Sequence, residues 1–458
     1  MIINLAALAA ELTAGTRSPK NINFDDRLTL KPLNLVQLRK RAKELRNGWR
    51  SGDIASLSRL AVRPDTVRVH KKPLQLTDAQ QVLAIEHGHH NWAALKRFVV
   101  MQSITRTAHR SSDAAAPDKG KRTLHIAADG LSEGLALAGF TGDYLFLPFP
   151  LDLVPLRGLP DPKDSEKFLE AYHPRDRAVW GPFMQLNGVD AEAELDRDYH
   201  ADKARLDVLK TARSYERVCI WSGPHSPAIK SLAFLLSYFD EPQNRPASLE
   251  LVSLRDFPGI DLFVTTLQLP PETLRQVATW FRPVRPEQFL VGRQVWNALS
   301  AATPIELWHL LQNDALEPLA WQPEVSRVLE QLPALHDGLG SLERQLLQAL
   351  APGDEPNMAA VRKRLLQQAK PPTYLWPWEV IAHRLASGRQ PAMTMRLDTH
   401  QSQWWFQITD VGRELLAGKR HWMDLANEPY WVGGVEVNPA KPHWCWDHQA
   451  QKPVLRQV

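Results

Sequence analysis

The sequence predicts an α/β protein with a mostly parallel sheet, preceded by a small all-α module and followed by an α+β unit. Three observations carry that expectation. Short apolar runs at 123–128, 144–149, 217–222 and 248–254 are each the length of one strand. Helical stretches separate them, and that alternation builds parallel sheets covered on both faces. The chain has 458 residues, more than one ordinary core holds, so two or three domains are expected.

Residues 1–102 read as a basic helical interaction module. The first ten residues are apolar without a basic leader, and Glu11 follows, which predicts a short helix and not a secretory signal. Leu35, Leu38, Ala42 and Leu45 fall on one helical face, with Arg39, Lys40, Lys43 and Arg46 on the other. Asp53 can cap a short helix over 54–61. A helix over 76–86 starts at Thr77 or Asp78 and ends at His87-Gly88, and Asn91 opens another that runs to Phe98. The run Leu-x-x-Leu-Arg-Lys-x-Ala-Lys-Glu-Leu from Leu35 and the run Asp-Ala-Gln…Ala-x-Glu-x-Gly…Trp-x-x-Leu from Asp78 are the marks of this part. They resemble the helical segment that accompanies ankyrin-type repeats in many bacterial proteins. That resemblance implies protein contacts, not catalysis. Residues 103–122 are small, polar and without period, as in a flexible linker.

Residues 123–337 read as an acidic, Rossmann-like α/β domain with a helical extension. The first strand ends at Ala128, with Asp129 and Gly130 behind it and a helix from Leu131 that contains Ser132. Ligand sites of open α/β sheets lie at that edge. Backbone N–H groups at the helix start attract anions, and Asp129 can orient a hydroxyl, hold a metal, or simply cap the helix. Trp221, Ser222, His225 and Ser226 follow a later strand and precede a helix, which places them on the same edge. A Ser–His pair invites a nucleophile reading, although the Gly-x-Ser-x-Gly elbow is missing.

Residues 338–458 read as a Trp-rich C-terminal domain. Helices are expected at 341–350, 358–368 and 378–386, strands at 392–397 and 404–409, and a helix at 410–418. Three helices, a two-stranded wing and Ile-Thr-x-x-Gly-x-x-Leu-Leu from Ile408 resemble a winged-helix domain. Arg362, Lys363 and Arg364 are then the candidates for nucleic-acid contact. His443, Cys445 and His448 are metal-ligand types, but a structural zinc takes four ligands, so a Trp-rich closing strand is expected and no metal or cofactor. His87, His89 and His90 read as a helix terminus favoured by the dipole.

The net charge of +4 conceals a strongly basic arm over 1–122 and a comparably acidic stretch over 123–340. Either the arm docks on its own core, or it meets an outside polyanion such as nucleic acid. No apolar run approaches about 18 residues, so no membrane span is expected. Two cysteines, Cys219 and Cys445, fit a reduced cytoplasmic protein. The 16 tryptophans mark either a Trp-rich core or an interface platform.

Several stretches are similar to the bacterial domain-of-unknown-function 1835 family. They are Leu124-His-Ile-x-x-Asp129, Leu-x-x-Ala-Gly139, the strand Leu145–Pro150 and Val218-x-Ile-Trp221. In the distal part they are Asp337-Gly-Leu-x-x-x-Glu-Arg-Gln-Leu-Leu, Leu-Ala-x-Gly388 and Trp431-x-Gly-Gly434. The resemblance covers residues 123–447 and implies neither a reaction nor a cofactor. The family's Gly-Asp-Ser is here Ala128-Asp129-Gly130. The function expected from all of this is that of a bacterial cytoplasmic regulatory, adaptor or ligand-sensing protein. It would act through protein contacts of the N-terminal module, or through DNA. The alternative is an enzyme acting on a nucleotide-like or other anionic small molecule in the α/β crevice.

Overall fold

The computed structural model describes residues 2–14, 34–53, 75–87, 116–118, 120–148, 154–160, 164–186, 190–224, 226–257, 260, 263–368, 378–398 and 403–457, with single positions at 56, 59, 91–93, 95, 96 and 99. The expected helices at 54–61 and 91–98 and most of the expected linker fall largely outside them, as do His89, His90 and His225.

The chain opens with strand β1 (Ile2–Asn4) and helix α1 (Leu5–Thr13), which Asn4 caps by accepting from Ala7 N at 3.0 Å. β1 pairs antiparallel with a later strand, Ile2 facing Leu145. The first residues therefore belong to the sheet and not to the helical module. That module is α2 (Leu35–Ser51) and α3 (Leu76–Glu86). Asn34 caps α2, and Gly52, at φ 77°, ends it. Ala42, Leu45 and Trp49 pack on Ala79, Val82 and Leu83, giving the module a core of its own. Each fully buried Leu or Val side chain of that core contributes about 2 kcal/mol.

Strands β2 (Thr123–Ala127), β3 (Asp143–Phe146), β4 (Arg217–Ser222), β5 (Leu249–Ser253) and β6 (Arg282–Pro283) complete a six-stranded sheet, order β1-β3-β2-β4-β5-β6. β2–β3, β2–β4 and β4–β5 are parallel, and the two edges are antiparallel. All of β2 and most of β4 are buried, as in strands covered on both faces. Helices α4 (Ser132–Leu137), α5 (Ser165–Leu186), α6 (Ala191–Lys210), α7 (Ser226–Asp240), α8 (Pro271–Val277) and α9 (Pro286–Leu299) connect or cover the strands. Leu124, Ile126, Val218 and Ile220 face Phe168 of α5, Leu206 of α6, Phe234 of α7 and Val291 of α9. Ala127, Cys219 and Trp221 face Leu5 of α1, Leu135 of α4 and Leu274 of α8. The crossover from β2 to β3 therefore covers one face and that from β3 to β4 the other. The strand order reverses between β2 and β4, the position where open α/β sheets leave a crevice.

Helices α10 (Ile305–Gln312) and α11 (Gln322–Leu329) lead to α12 (Ser341–Leu350), α13 (Met358–Gln368) and α14 (Trp378–Ala386). β7 (Met393–Asp398) and β8 (Gln403–Ile408) form an antiparallel hairpin. Thr409 then caps α15 (Asp410–Leu416), its Oγ1 accepting from Gly412 N at 3.1 Å. Hairpins β9 (Tyr430–Val432) with β10 (Val435–Val437) and β11 (His443–Asp447) with β12 (Lys452–Arg456) close the chain. The expected boundary at 337/338 crosses packed structure. Asp337 is buried and pairs with Arg344 at 2.6 Å, Trp446 N donates to Pro333 O, and one apolar cluster runs from Leu124 to Trp446. Trp321, Trp378, Trp422 and Trp446 are fully buried in that cluster, so these aromatics are core.

Candidate functional site

The pairing of Ala127 with Trp221 brings Asp129 and Ser222 to the carboxyl edge of β2 and β4, at the reversal of strand order. Asp129 is buried. Its Oδ2 accepts from Thr265 Oγ1 and from Thr266 N, each at 3.0 Å, and from Thr266 Oγ1. Its carbonyl accepts from the Tyr144 hydroxyl, whose oxygen in turn accepts from Leu131 N at 3.0 Å. Burial pushes the Tyr144 phenol far above its ordinary pKa, so it stays a neutral donor. Two expectations are thereby corrected. Asp129 caps the turn at Thr265–Gln268, and α4 has no side-chain cap. The Leu131 amide, expected to face the crevice, already has a partner, and α4 is only 6 residues long. Gly130 is half-buried and Ser132 is buried. Ser222 is buried, and its Oγ has no hydrogen-bond partner among the described residues. Ser226 begins α7. Asp129, Trp221 and Ser222 thus share one edge, and His225 lies outside the described residues.

Trp221 leads to a group that the sequence reading missed. Its Nε1 donates to His125 Nδ1 at 3.2 Å, and His125 Nε2 lies 3.2 Å from Asp118 Oδ2. Since Nδ1 accepts, Nε2 carries the proton and donates to Asp118. Asp118 sits in the stretch read as linker, yet it is buried and also accepts from Thr141 N, Thr141 Oγ1 and Gly142 N. Burial alone raises its pKa, but the hydrogen bonds from His125, Thr141 and Gly142 prevail and hold it at about 2. Burial keeps His125 below the ordinary histidine value, against the pull of Asp118. A side chain at Gly142 would meet Thr123 O at 2.5 Å, so the turn that presents these amides needs glycine. This chain of contacts ties the start of the domain to β2 and β4.

A cavity of about 720 Å³ lies between residues 155–157, α5, α14 and residues 422–431. Pro174, Ala178, Val179 and Pro182 of α5 line one side, and Trp422, Tyr430 and Trp431 line another. The 155–157 strap is held by Leu156 N donating to Gly433 O at 3.1 Å. Gly433 has φ +59°, and a Cβ there would meet Leu299 O at 2.5 Å, so the turn that anchors the strap requires glycine. Arg157 lies over the Trp431 ring at 5.1 Å. Arg175 Nη1 donates to the carbonyls of Pro155 and Arg157 at 2.8 Å each. Burial, and then the positive charge of Arg157, lower the Arg175 pKa below the arginine value. Arg384 lies 3.8 Å over the Tyr430 ring and pairs with the buried Glu343 at 2.5 Å. The Tyr430 hydroxyl, Trp422 Nε1 and Arg384 Nε are buried without a partner among the described residues.

The other candidates stand apart from both places. Arg362 pairs with Glu379 at 3.2 Å, Arg364 pairs with Asp354 and donates to Ala349 O, and Lys363 is exposed. His443 and Cys445 are buried on one face of β11, and burial pushes the Cys445 thiol up to about 11. Among the described residues no group of three or more His, Cys, Asp or Glu side chains could hold a metal ion. Nor is any described helix long and apolar enough to cross a membrane. No family model matches the chain, and no curated protein matches it.

Proposed function

We propose that this is a bacterial cytoplasmic regulatory or adaptor protein that senses a small ligand and acts through protein contacts. The Asp129 carboxylate carries the reading. This acid at the crevice is engaged by Thr265 and Thr266, which favours a structural role for it over catalysis. The α2–α3 module supports the adaptor part. Its apolar face is closed on itself, while Arg39, Lys40, Lys43 and Arg46 are left on its outer side, suited to an acidic partner. In this reading the sheet is Rossmann-like, the C-terminal part is winged-helix-like, and both belong with the domain-of-unknown-function 1835 proteins. Gly139, one of the matched positions, has φ +86° where α4 ends, a conformation that favours glycine.

An enzyme acting on a nucleotide-like anion is the second reading. The buried Ser222 Oγ at the switch point, with no described partner, favours it. The two separate in one experiment. The full chain is screened by thermal shift against nucleotides and aromatic carboxylates, and each hit is followed by NMR over hours. The sensing reading expects a ligand held at about 100 times its Kd to stabilise by about 2.7 kcal/mol and to remain unchanged. Conversion of a ligand that stops in Ser222→Ala would transfer the conclusion to the enzyme reading.

A further inference from the structure

We propose that the cavity between α5 and α14 binds a small organic anion with a flat apolar body, its acid group held by Arg157 and Arg175. This rests on the ligand-sensing reading and gives it a place and a chemistry. A volume of about 720 Å³ falls within the roughly 300–1,000 Å³ of small-molecule sites. Pro174, Val179, Pro182 and Trp431 supply an apolar and aromatic lining suited to a planar body.

The charges of the lining specify the acid group. Arg384 is matched by Glu343. Arg157 and Arg175 have no carboxylate partner among the described residues, and Arg175 Nη1 donates to the Arg157 carbonyl at 2.8 Å, which keeps the two residues together. Burial first, and the repulsion of Arg157 second, lower the Arg175 pKa. An anion between them would relieve that repulsion, and guanidinium groups suit carboxylate and phosphate oxygens. Glu428 is the acidic residue of the lining and is exposed, so cationic side chains remain in excess.

The buried groups without partners point the same way. Trp422 Nε1 and Arg384 Nε can only donate, and the Tyr430 hydroxyl can donate. These atoms are closed off from the cavity in this arrangement. A buried donor left unpaired costs about 1–3 kcal/mol, and side chains that turn toward a bound ligand rich in acceptor oxygens would recover that cost. The lining also joins two parts of the chain, α5 with its strap and α14 with β9. Occupancy would therefore tie the two together and stabilise the folded chain.

Isothermal titration of the full chain with 1-naphthoate, AMP and the neutral 1-naphthalenemethanol tests the proposal. One saturable site is expected for naphthoate or AMP, with the alcohol at least about tenfold weaker. Arg157→Ala, in an exposed turn, should weaken the anion by about tenfold and leave the alcohol nearly unchanged. Tyr430→Phe should weaken it by a few-fold, and both variants should melt as the wild type does. Dependence on Arg157 for AMP but not naphthoate would identify a nucleotide as the class of anion. Equal affinity for naphthoate and the alcohol, or no saturable heat from any probe, would overturn the cavity proposal. So would anion binding untouched by both substitutions, which leaves the sensing reading standing. That reading falls only if the wider thermal-shift panel finds no ligand at all.

Discussion

The sheet edge at Asp129 and the cavity beside Tyr430 both gather polar side chains on ordered elements, and they use them in opposite ways. At the edge, Oδ2 of Asp129 accepts from Thr265 and Thr266, and its carbonyl accepts from Tyr144. Beside the cavity, the Tyr430 hydroxyl and Trp422 Nε1 are buried with no described partner. The first arrangement fixes the fold, because its donors and acceptors match within the chain. The second is incomplete by itself and gains from an added acceptor. A strand end in a crevice is therefore a poor guide to function until its hydrogen bonds are traced.

The contrast breaks most readily at Asp129. Asp129→Ala leaves the Thr266 amide and two hydroxyls without their buried acceptor and should cost about 2–4 kcal/mol. Tyr430→Phe, which removes a hydroxyl that bonds nothing described, should cost less than about 1 kcal/mol. Urea unfolding reads both as shifts of the midpoint at constant slope. Should Asp129→Ala prove as mild as Tyr430→Phe, the edge acid would be free for function and the contrast would vanish.

The wall that α5 gives the cavity allows a sharper test. Arg175 and Val179 line the cavity, while His173 and Asp176 are buried behind them; His173 Nε2 lies 3.4 Å from Asp202 Oδ2, and Asp176 Oδ1 has no hydrogen-bond partner among the described residues. Burial pushes the Asp176 carboxyl up to about 7; His173 opposes this and Asp202 and Asp198 add to it. The folded pKa thus exceeds the unfolded value near 3.8. Stability is greatest below that value and declines as the pH rises through about 7, because the unfolded chain ionises first. Asp176→Asn should remove the decline, gaining on the order of 2 kcal/mol at pH 8 and almost nothing near pH 4. Parallel stability–pH curves for the two proteins would sink the assignment.

Much of the fold was legible because it is local. The three helices from Ser341, Met358 and Trp378 and the strand Arg217–Ser222 end where the sequence pattern placed them, since period and caps fix them. β1 was not, because the 3 residues of Ile2–Asn4 show no period and their partner lies beyond residue 142. Asp118 sits in a polar stretch that looks like linker, and only the distant Thr141, Gly142 and His125 make it a buried acceptor. The shared edge of Asp129 and Ser222 followed from strand order. That Thr265 and Thr266 claim the carboxylate did not, because they are 136 and 137 residues away. No sequence signal reveals the cavity, whose lining comes from Pro155 to Trp431 and meets only on folding.

The smallest effect belongs to the basic cluster of α13, where charges are paired at the surface. Arg364 joins the exposed Asp354, and Arg362 joins Glu379. Arg364→Ala should cost less than about 1 kcal/mol, because exposed pairs gain little over water, and the cost should shrink further in high salt. A loss as large as that of Asp129→Ala would make the pair part of the core. If stability holds but the substitution lowers retention of duplex DNA at low salt, the guanidinium exchanges its carboxylate for phosphate. The surface would then resemble the cavity, holding a charge for something outside the chain, and the C-terminal part would become a second place of contact.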